Sequence, residues 1–224
     1  MNVILFGGTG MVGQGVLREC ILAPGVQRIL SIARSRSGQQ HPKLREAVPN
    51  DFYDLSSIES ELSGYDACFF TLGVTSAGLN EQQYSHVTYD LTLAAAKPLA
   101  TLNPGMTFIY VSGAGTDSSE SGRVMWARIK GKTENAILRL PFKASYMFRP
   151  GFIQPLHGIK SKTKSYQLVY AITAPVLPML KAIFPRHIAT TEEIGRAMLN
   201  VARHGFPKSI LEAGDIIQVA STIA

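Results

Sequence analysis

The chain has 224 residues, a formal net charge of +6 and a pI of about 9.4. With 46% hydrophobic and 17% charged residues it has the balance of a folded globular protein, which excludes a disordered or fibrous chain, and its length suits one α/β unit with a sizeable core. The positive balance favours an anionic partner. The basic residues are scattered, however, and the densest group (Lys160, Lys162, Lys164) has only Tyr166 as an aromatic neighbour, so no nucleic-acid partner is expected.

Taken in chain order, Val3 to Phe6 is an apolar run that opens a strand at once, so no signal peptide is expected ahead of the fold and a cytoplasmic location follows. A glycine-rich turn leads into a helix over Gly13 to Leu22, then a strand over Arg28 to Ala33. Asp66 to Leu72 is a further strand. Cys20 and Cys68 lie in apolar surroundings, outside any CxxC or Cys/His cluster, and read as two buried thiols with no metal site. Glu81 to Leu102 has helical character, with Val87, Leu91, Ala94 and Ala95 on one side. Pro98 predicts that this helix bends there or ends near Ala96, because an interior proline costs about 3 kcal/mol. Met106 to Val111 is a strand, Trp126 to Leu138 a helix, and Ser145 to Arg149 a strand.

Apolar strands alternating with helices imply right-handed βαβ units. The expected fold is therefore α/β and Rossmann-like: a doubly wound parallel sheet with helices on both faces and a small C-terminal substrate lobe. One domain is expected, with residues 1–150 as its dinucleotide-binding core and 151–224 as a cap region. After Gly151, prolines at 155, 175, 178 and 185 break up an apolar stretch from Tyr166 to Phe184. Thr190-Thr191-Glu192-Glu193 then opens a helix that stops near Gly205. No run reaches the length of about 20 apolar residues that a membrane-spanning helix needs.

The turn Gly7-Gly8-Thr9-Gly10-Met11-Val12-Gly13 sits between the first strand and the first helix, the context in which a glycine pattern points to a dinucleotide. Gly7 takes the tight turn, Gly10 lets the backbone approach a pyrophosphate, and Gly13 lets helix and strand pack closely. Free amides at the helix start, those of Met11 and Val12 among them, offer hydrogen bonds and partial positive charge to phosphate, and Thr9 adds a hydroxyl. No acid follows the second strand to hold a ribose hydroxyl. Arg34 and Arg36 stand there instead, and guanidinium groups suit a 2′-phosphate, so NADP(H) is expected over NAD(H).

Together with that loop, Asp51-Phe52 after the third strand, Leu72-Gly73 after the fourth, Ser112 after the fifth, Lys130 on the next helix and Arg149-Pro150-Gly151 after the sixth resemble the atypical and extended short-chain dehydrogenase/reductases. These include NAD-dependent epimerase/dehydratase-like proteins and the Tat-interacting-protein-like oxidoreductases. The resemblance covers residues 1 to about 155 well and the C-terminal third loosely. It implies that Asp51 bonds the adenine amino group with Phe52 beside the ring, and that Leu72 and Gly73 pass under the cofactor ribose. It further implies that Pro150, Gly151 and Ile153 line the nicotinamide side, and that the protein forms a homodimer through its two long helices. Asp51 as a turn cap and Pro150-Gly151 as a plain turn are the alternatives.

Catalysis in that family uses a serine and Tyr-x-x-x-Lys. Here the stretch reads Trp126-Ala127-Arg128-Ile129-Lys130: the lysine is in register, but tryptophan holds the tyrosine position, and an indole is neither acid nor base near neutral pH. Ser112 is expected to bond a substrate carbonyl and Lys130 the nicotinamide ribose. Three readings follow. The first is a reductase or epimerase-like enzyme acting on a small carbonyl or hydroxyl substrate, its proton supplied by Tyr84, His86, Tyr110, Tyr146 or water. The second is an NADPH-binding redox sensor or scaffold. The third, less favoured, puts Tyr166 to Phe184 on a membrane surface or a partner subunit, rimmed by Lys160, Lys162, Lys164 and Lys181.

Overall fold

The computed structural model describes residues 1–159 and 186–222. Seven strands form one parallel sheet: β1 (Asn2–Phe6), β2 (Arg28–Ile32), β3 (Leu44–Ala47), β4 (Ala67–Phe70), β5 (Thr107–Val111), β6 (Ala144–Arg149) and β9 (Ile210–Glu212). Their spatial order is β3-β2-β1-β4-β5-β6-β9. Between β6 and β9 the chain adds a small parallel pair, β7 (Phe152–Gln154) with β8 (Ile188–Thr190). The helices are α1 (Met11–Leu22), α2 (Glu81–Ser85), α3 (Leu91–Leu102), α4 (Met125–Leu138), α5 (Thr191–His204) and α6 (Ala213–Ala220).

Alternation along the strands builds two cores. Val3, Leu5, Phe69, Ile109 and Phe148 face one side, where they meet Val16, Leu17 and Cys20 of α1, Ile194 and Met198 of α5 and Ile216 of α6. Ile4, Phe6, Phe70, Phe108 and Met147 face the other, against Leu93, Ala96 and Leu99 of α3 and Ile137 of α4. A sheet covered on both faces must be apolar on both, which is why its strands read as continuous apolar runs rather than alternating ones. The doubly wound sheet is therefore as expected. Cys20 and Cys68 are buried free thiols, one in each core. The second half of the sheet departs from β4, on the other side of β1, so the order in which strands are added reverses at the β1–β4 boundary while all strands stay parallel. In doubly wound sheets ligands bind beyond the carboxyl ends of the strands at such a boundary.

Two local readings are corrected. The first helix starts at Met11 rather than Gly13, because Gly10 is extended (φ −80°, ψ 167°) and caps it. Of the two outcomes expected at Pro98, an end near Ala96 is excluded: α3 runs through it to Leu102. Leu99 is fully buried and Ala95, Ala96 and Ala100 nearly so, on the face against the sheet. Burying one leucine is worth about 1.5–3 kcal/mol, which offsets the proline's penalty of about 3 kcal/mol. The irregularity lies upstream instead, as one π-helical turn over His86–Asp90. The Thr190 cap holds as read: its hydroxyl accepts the Glu193 amide while the Glu193 carboxylate accepts the Thr190 amide, and Gly205 ends α5. The apolar stretch Tyr166 to Phe184 and its lysines lie outside the described residues.

Candidate active site

The opening turn is built around Gly7, which takes φ +87°, a left-handed conformation that favours glycine. The Gly10 amide bonds back to the Gly7 carbonyl at 2.8 Å, and the Gln14 amide to the Gly10 carbonyl at 2.8 Å, so the helix ladder begins only at Gln14. A Cβ on Gly13 would collide with the Gly7 carbonyl, whereas one on Gly10 would meet only that same oxygen, at 3.3 Å. Gly13 therefore allows close packing, and Gly10 leaves room above the loop. No side chain caps the α1 N-terminus and no acid lies in its first turn, so the first-turn amides and the helix dipole are free for an anion. The donor set fits a dinucleotide pyrophosphate.

Thr71, which the sequence reading passed over, ties the two strand ends beneath this turn. Its hydroxyl donates to the Phe6 carbonyl at 2.7 Å and its amide to the same oxygen at 3.0 Å. A threonine directly after an apolar strand was the available signal. Leu72 follows, half-buried against the α3 core, and Gly73 is exposed. Arg34 and Arg36 follow β2 and are both exposed. No ion pair to either is formed among the described residues. Asp51 is exposed, and its Oδ1 accepts the Tyr53 amide at 2.8 Å, which is the turn-capping role. Phe52 is half-buried against the same core as Leu72. Pro150 is buried, and its carbonyl accepts the Ala114 amide at 2.9 Å, joining the loops after β5 and β6. Gly151 is exposed, and Ile153 pairs with Ala189 in the small sheet.

Around α4 the geometry changes what the sequence suggested. The Ser112 hydroxyl donates to Glu134 Oε1 at 2.5 Å, inside the protein, so it is not a free donor toward a substrate carbonyl. Lys130 Nζ donates to the Ser112 backbone oxygen at 2.8 Å and lies 5.9 Å from the centre of the Tyr110 ring. Burial lowers the Lys130 amine to about 8, partly opposed by the nearby Glu134 charge. The Trp126 indole is half-buried and reaches over Gly115, whose Cβ position is 3.5 Å from Cη2.

Glu134 was also missed. It is fully buried, and Arg149, at the end of β6, grips it through Nε at 3.1 Å and Nη2 at 2.5 Å. Arg149 also donates to Ser118 Oγ at 2.5 Å and to Glu212 at 3.4 Å. The carboxylate beside it raises the guanidinium above its ordinary value. The signal was in the text: an acid four residues after Lys130 stacks on the same helix face.

The proposed alternative proton sources are not loose at this site. Tyr84 and Tyr110 are buried, 2% and 1% exposed. Burial pushes the Tyr110 phenol far above its ordinary range, with Thr92 and Thr133 hydrogen-bonded to it. Tyr146 is buried on the opposite face and accepts the Phe206 amide at 3.1 Å. His86 stacks on Tyr53 at 4.4 Å and pairs with Asp90 at 3.1 Å on the exterior.

Solved structures share this architecture. DesIV, a dTDP-glucose 4,6-dehydratase from Streptomyces venezuelae with NAD and TYD bound, matches with TM-score 0.70 at 15% identity, over 95% of this chain and 75% of that one. A short chain dehydrogenase family protein from Francisella tularensis matches with TM-score 0.67 at 14% identity, over 96% and 98%. The fold is that of the short-chain dehydrogenase/reductases. By sequence, the chain is 34% identical over 160 residues to the mitochondrial protein Fmp52 of Emericella nidulans, covering 68% of this chain and 66% of that one. It is 27% identical to the mitochondrial protein FMP52-2 of Scheffersomyces stipitis, covering 94% and 91%. The first match thus spans just under two thirds of its relative. No family model matches. The relatives' names correct one expectation: they are mitochondrial proteins, not cytoplasmic ones. The absence of a leader-like run ahead of β1 was too slight a basis for a compartment.

Proposed function

We propose that this chain is a nicotinamide-dinucleotide-dependent oxidoreductase, using NADP(H) in preference to NAD(H), that acts on a small carbonyl or hydroxyl substrate. One observation carries the reading. An uncapped helix start lies at the β1–β4 reversal, with two exposed arginines and no acid after the neighbouring strand. In this reading Thr9 and the loop and helix-start amides from Gly7 to Val12 hold the pyrophosphate, Gly10 making room for it. Arg34 and Arg36 take the 2′-phosphate. Asp51 and Phe52 meet the adenine, Leu72 and Gly73 underlie the ribose, and Pro150, Gly151 and Ile153 line the nicotinamide side.

A bound nicotinamide supplies or accepts a hydride. The chain's own residues orient it, exclude water and move one proton. Trp126 closes the position a phenol would hold. Lys130, one turn further on and titrating at about 8, is the group assigned to give the proton to the substrate oxygen. The relatives' names favour a mitochondrial location for this chain as well.

The test is to mix the purified protein with NADPH and a panel of aldehydes, ketones and quinones, and to follow cofactor absorbance across pH. The expected result is turnover that declines as pH rises through about 8, as Lys130 loses its proton. The Trp126→Tyr variant should raise the rate, since a positioned general acid contributes about 10²–10⁴-fold. A second reading, an NADPH sensor or scaffold, is favoured by the buried or engaged state of Tyr84, Tyr110, Tyr146 and His86. Tight NADPH binding with no turnover, in wild type and Trp126→Tyr alike, decides for it.

A further inference from the structure

Glu134 and Lys130 are four residues apart on α4, and both reach the same residue of β5's exit. Lys130 Nζ takes the Ser112 carbonyl at 2.8 Å, while Glu134 Oε1 takes the Ser112 hydroxyl at 2.5 Å. Ser112 is thereby held at two atoms by one helix face. A third anchor comes from β6, whose Phe148 carbonyl accepts the Ser112 amide at 2.9 Å. Glu134 itself is held in a fork by Arg149, which also donates to Ser118 and Glu212. Besides the Arg149 fork, the buried Glu134 carboxylate accepts the Ser112 hydroxyl, just beyond the end of β5. It links β5, β6 and α4 directly beneath the lysine.

We propose that Glu134 is a positioning residue: by fixing Ser112 it holds the Lys130 side chain in place at the carboxyl end of β5. What Lys130 does there rests on the dinucleotide reading; how it is held does not. Among the described residues, the charged and titratable groups facing Lys130 include Glu134 on its own helix, the Tyr110 phenol on β5, and Arg149 on β6 behind Glu134. Glu134 favours the charged amine and burial disfavours it, so removing the carboxylate leaves burial less opposed.

The experiment uses the full chain with ¹⁵N-labelled lysine. The Lys130 amine is titrated by NMR, and NADPH affinity is measured by calorimetry, for wild type, Glu134→Gln, Glu134→Asp and Ser112→Ala. Glu134→Gln is expected to lower the Lys130 midpoint and weaken NADPH about tenfold or more, the scale of one lost charge-assisted contact. Glu134→Asp should recover part of both. Ser112→Ala should weaken NADPH several-fold. If Glu134→Gln lowers Tm but leaves midpoint and affinity at wild-type values, Glu134 is only a structural ion pair and the proposal is overturned. Should Glu134→Gln fail to fold, Ser112→Ala decides, and wild-type affinity in that variant overturns the proposal. A wild type that binds no NADPH, with a lowered Lys130 midpoint in Glu134→Gln, defeats the dinucleotide reading and leaves the positioning of Lys130 supported.

Discussion

Lys130 donates to the backbone oxygen of Ser112 at 2.8 Å, which seats a cation in a half-buried position at the end of a central strand. Folding holds that amine in surroundings where its charge is poorly solvated, and this has a measurable consequence for stability.

Burial, the largest cause, lowers the Lys130 amine from 10.5 to about 8. The unfolded chain keeps this proton up to 10.5, while the folded chain releases it at about 8. Between those values the unfolded state binds more protons, so this group's contribution to stability rises with pH across that window. Below it both states are charged and the penalty is at full size. Relative to Lys130→Met, the wild type should therefore gain stability from about pH 8 to 10.5. Urea unfolding of both proteins across the window checks this, and a pH-independent difference between them refutes it.

The Glu134–Arg149 pair predicts a non-additive cycle. Glu134 is fully buried and Arg149 is 9% exposed. Removing one partner of a buried pair leaves the other's charge uncompensated, a loss of about 3–5 kcal/mol. Glu134→Leu and Arg149→Met should each cost about that much, while the double variant should cost far less than their sum. Equilibrium denaturation of the four proteins measures the coupling, and simple additivity would show that the two charges do not interact.

Gly10 and Gly13 should separate ligand binding from folding. A Cβ on Gly10 meets only the Gly7 carbonyl, at 3.3 Å, so Gly10→Ala is expected to cost far less stability than Gly13→Ala while weakening NADPH more than tenfold. Gly13→Ala drives a methyl into the Gly7 carbonyl and should destabilise the fold by about 1–3 kcal/mol. Thermal melts paired with NADPH titration test both, and an unaltered affinity in Gly10→Ala would show that no phosphate approaches there.

Arg34 and Arg36 carry the choice of cofactor. Hydrogen bonds to charged groups are worth about 1.5–3 kcal/mol, so Arg34→Ala and Arg36→Ala should each weaken NADPH by roughly 10- to 100-fold and leave NADH unchanged. Parallel calorimetric titrations decide it. An equal loss for both nucleotides would make these arginines general anion attractors, without selectivity for the 2′-phosphate.

Much of this protein is legible in its sequence because the signals are local. A strand buried on both faces has to be apolar throughout, and Gly7 to Gly13 between such a strand and a helix announces a phosphate-type turn. Thr190 to Glu193 spells its own capping box. Position 126 shows a tryptophan where a phenol was expected, and no fold is needed to see it. Pro98 misled because intrinsic propensity is a local quantity, whereas the burial of Leu99 and its neighbours that overrode it is tertiary.

Only the tertiary structure could decide what Ser112 does. Its neighbours in sequence say nothing of Glu134, 22 residues away, or of Phe148, 36 away, yet these two take its hydroxyl and its amide. Likewise the sequence could mark Tyr110 and Tyr146 as strand residues more often found in a core, but the partners of Tyr110, Tyr146 and His86 come only from the fold. Composition and periodicity dictate which faces are apolar. Which polar groups meet inside depends on how the sheet brings distant segments together, and that is where the chemistry of this site is set.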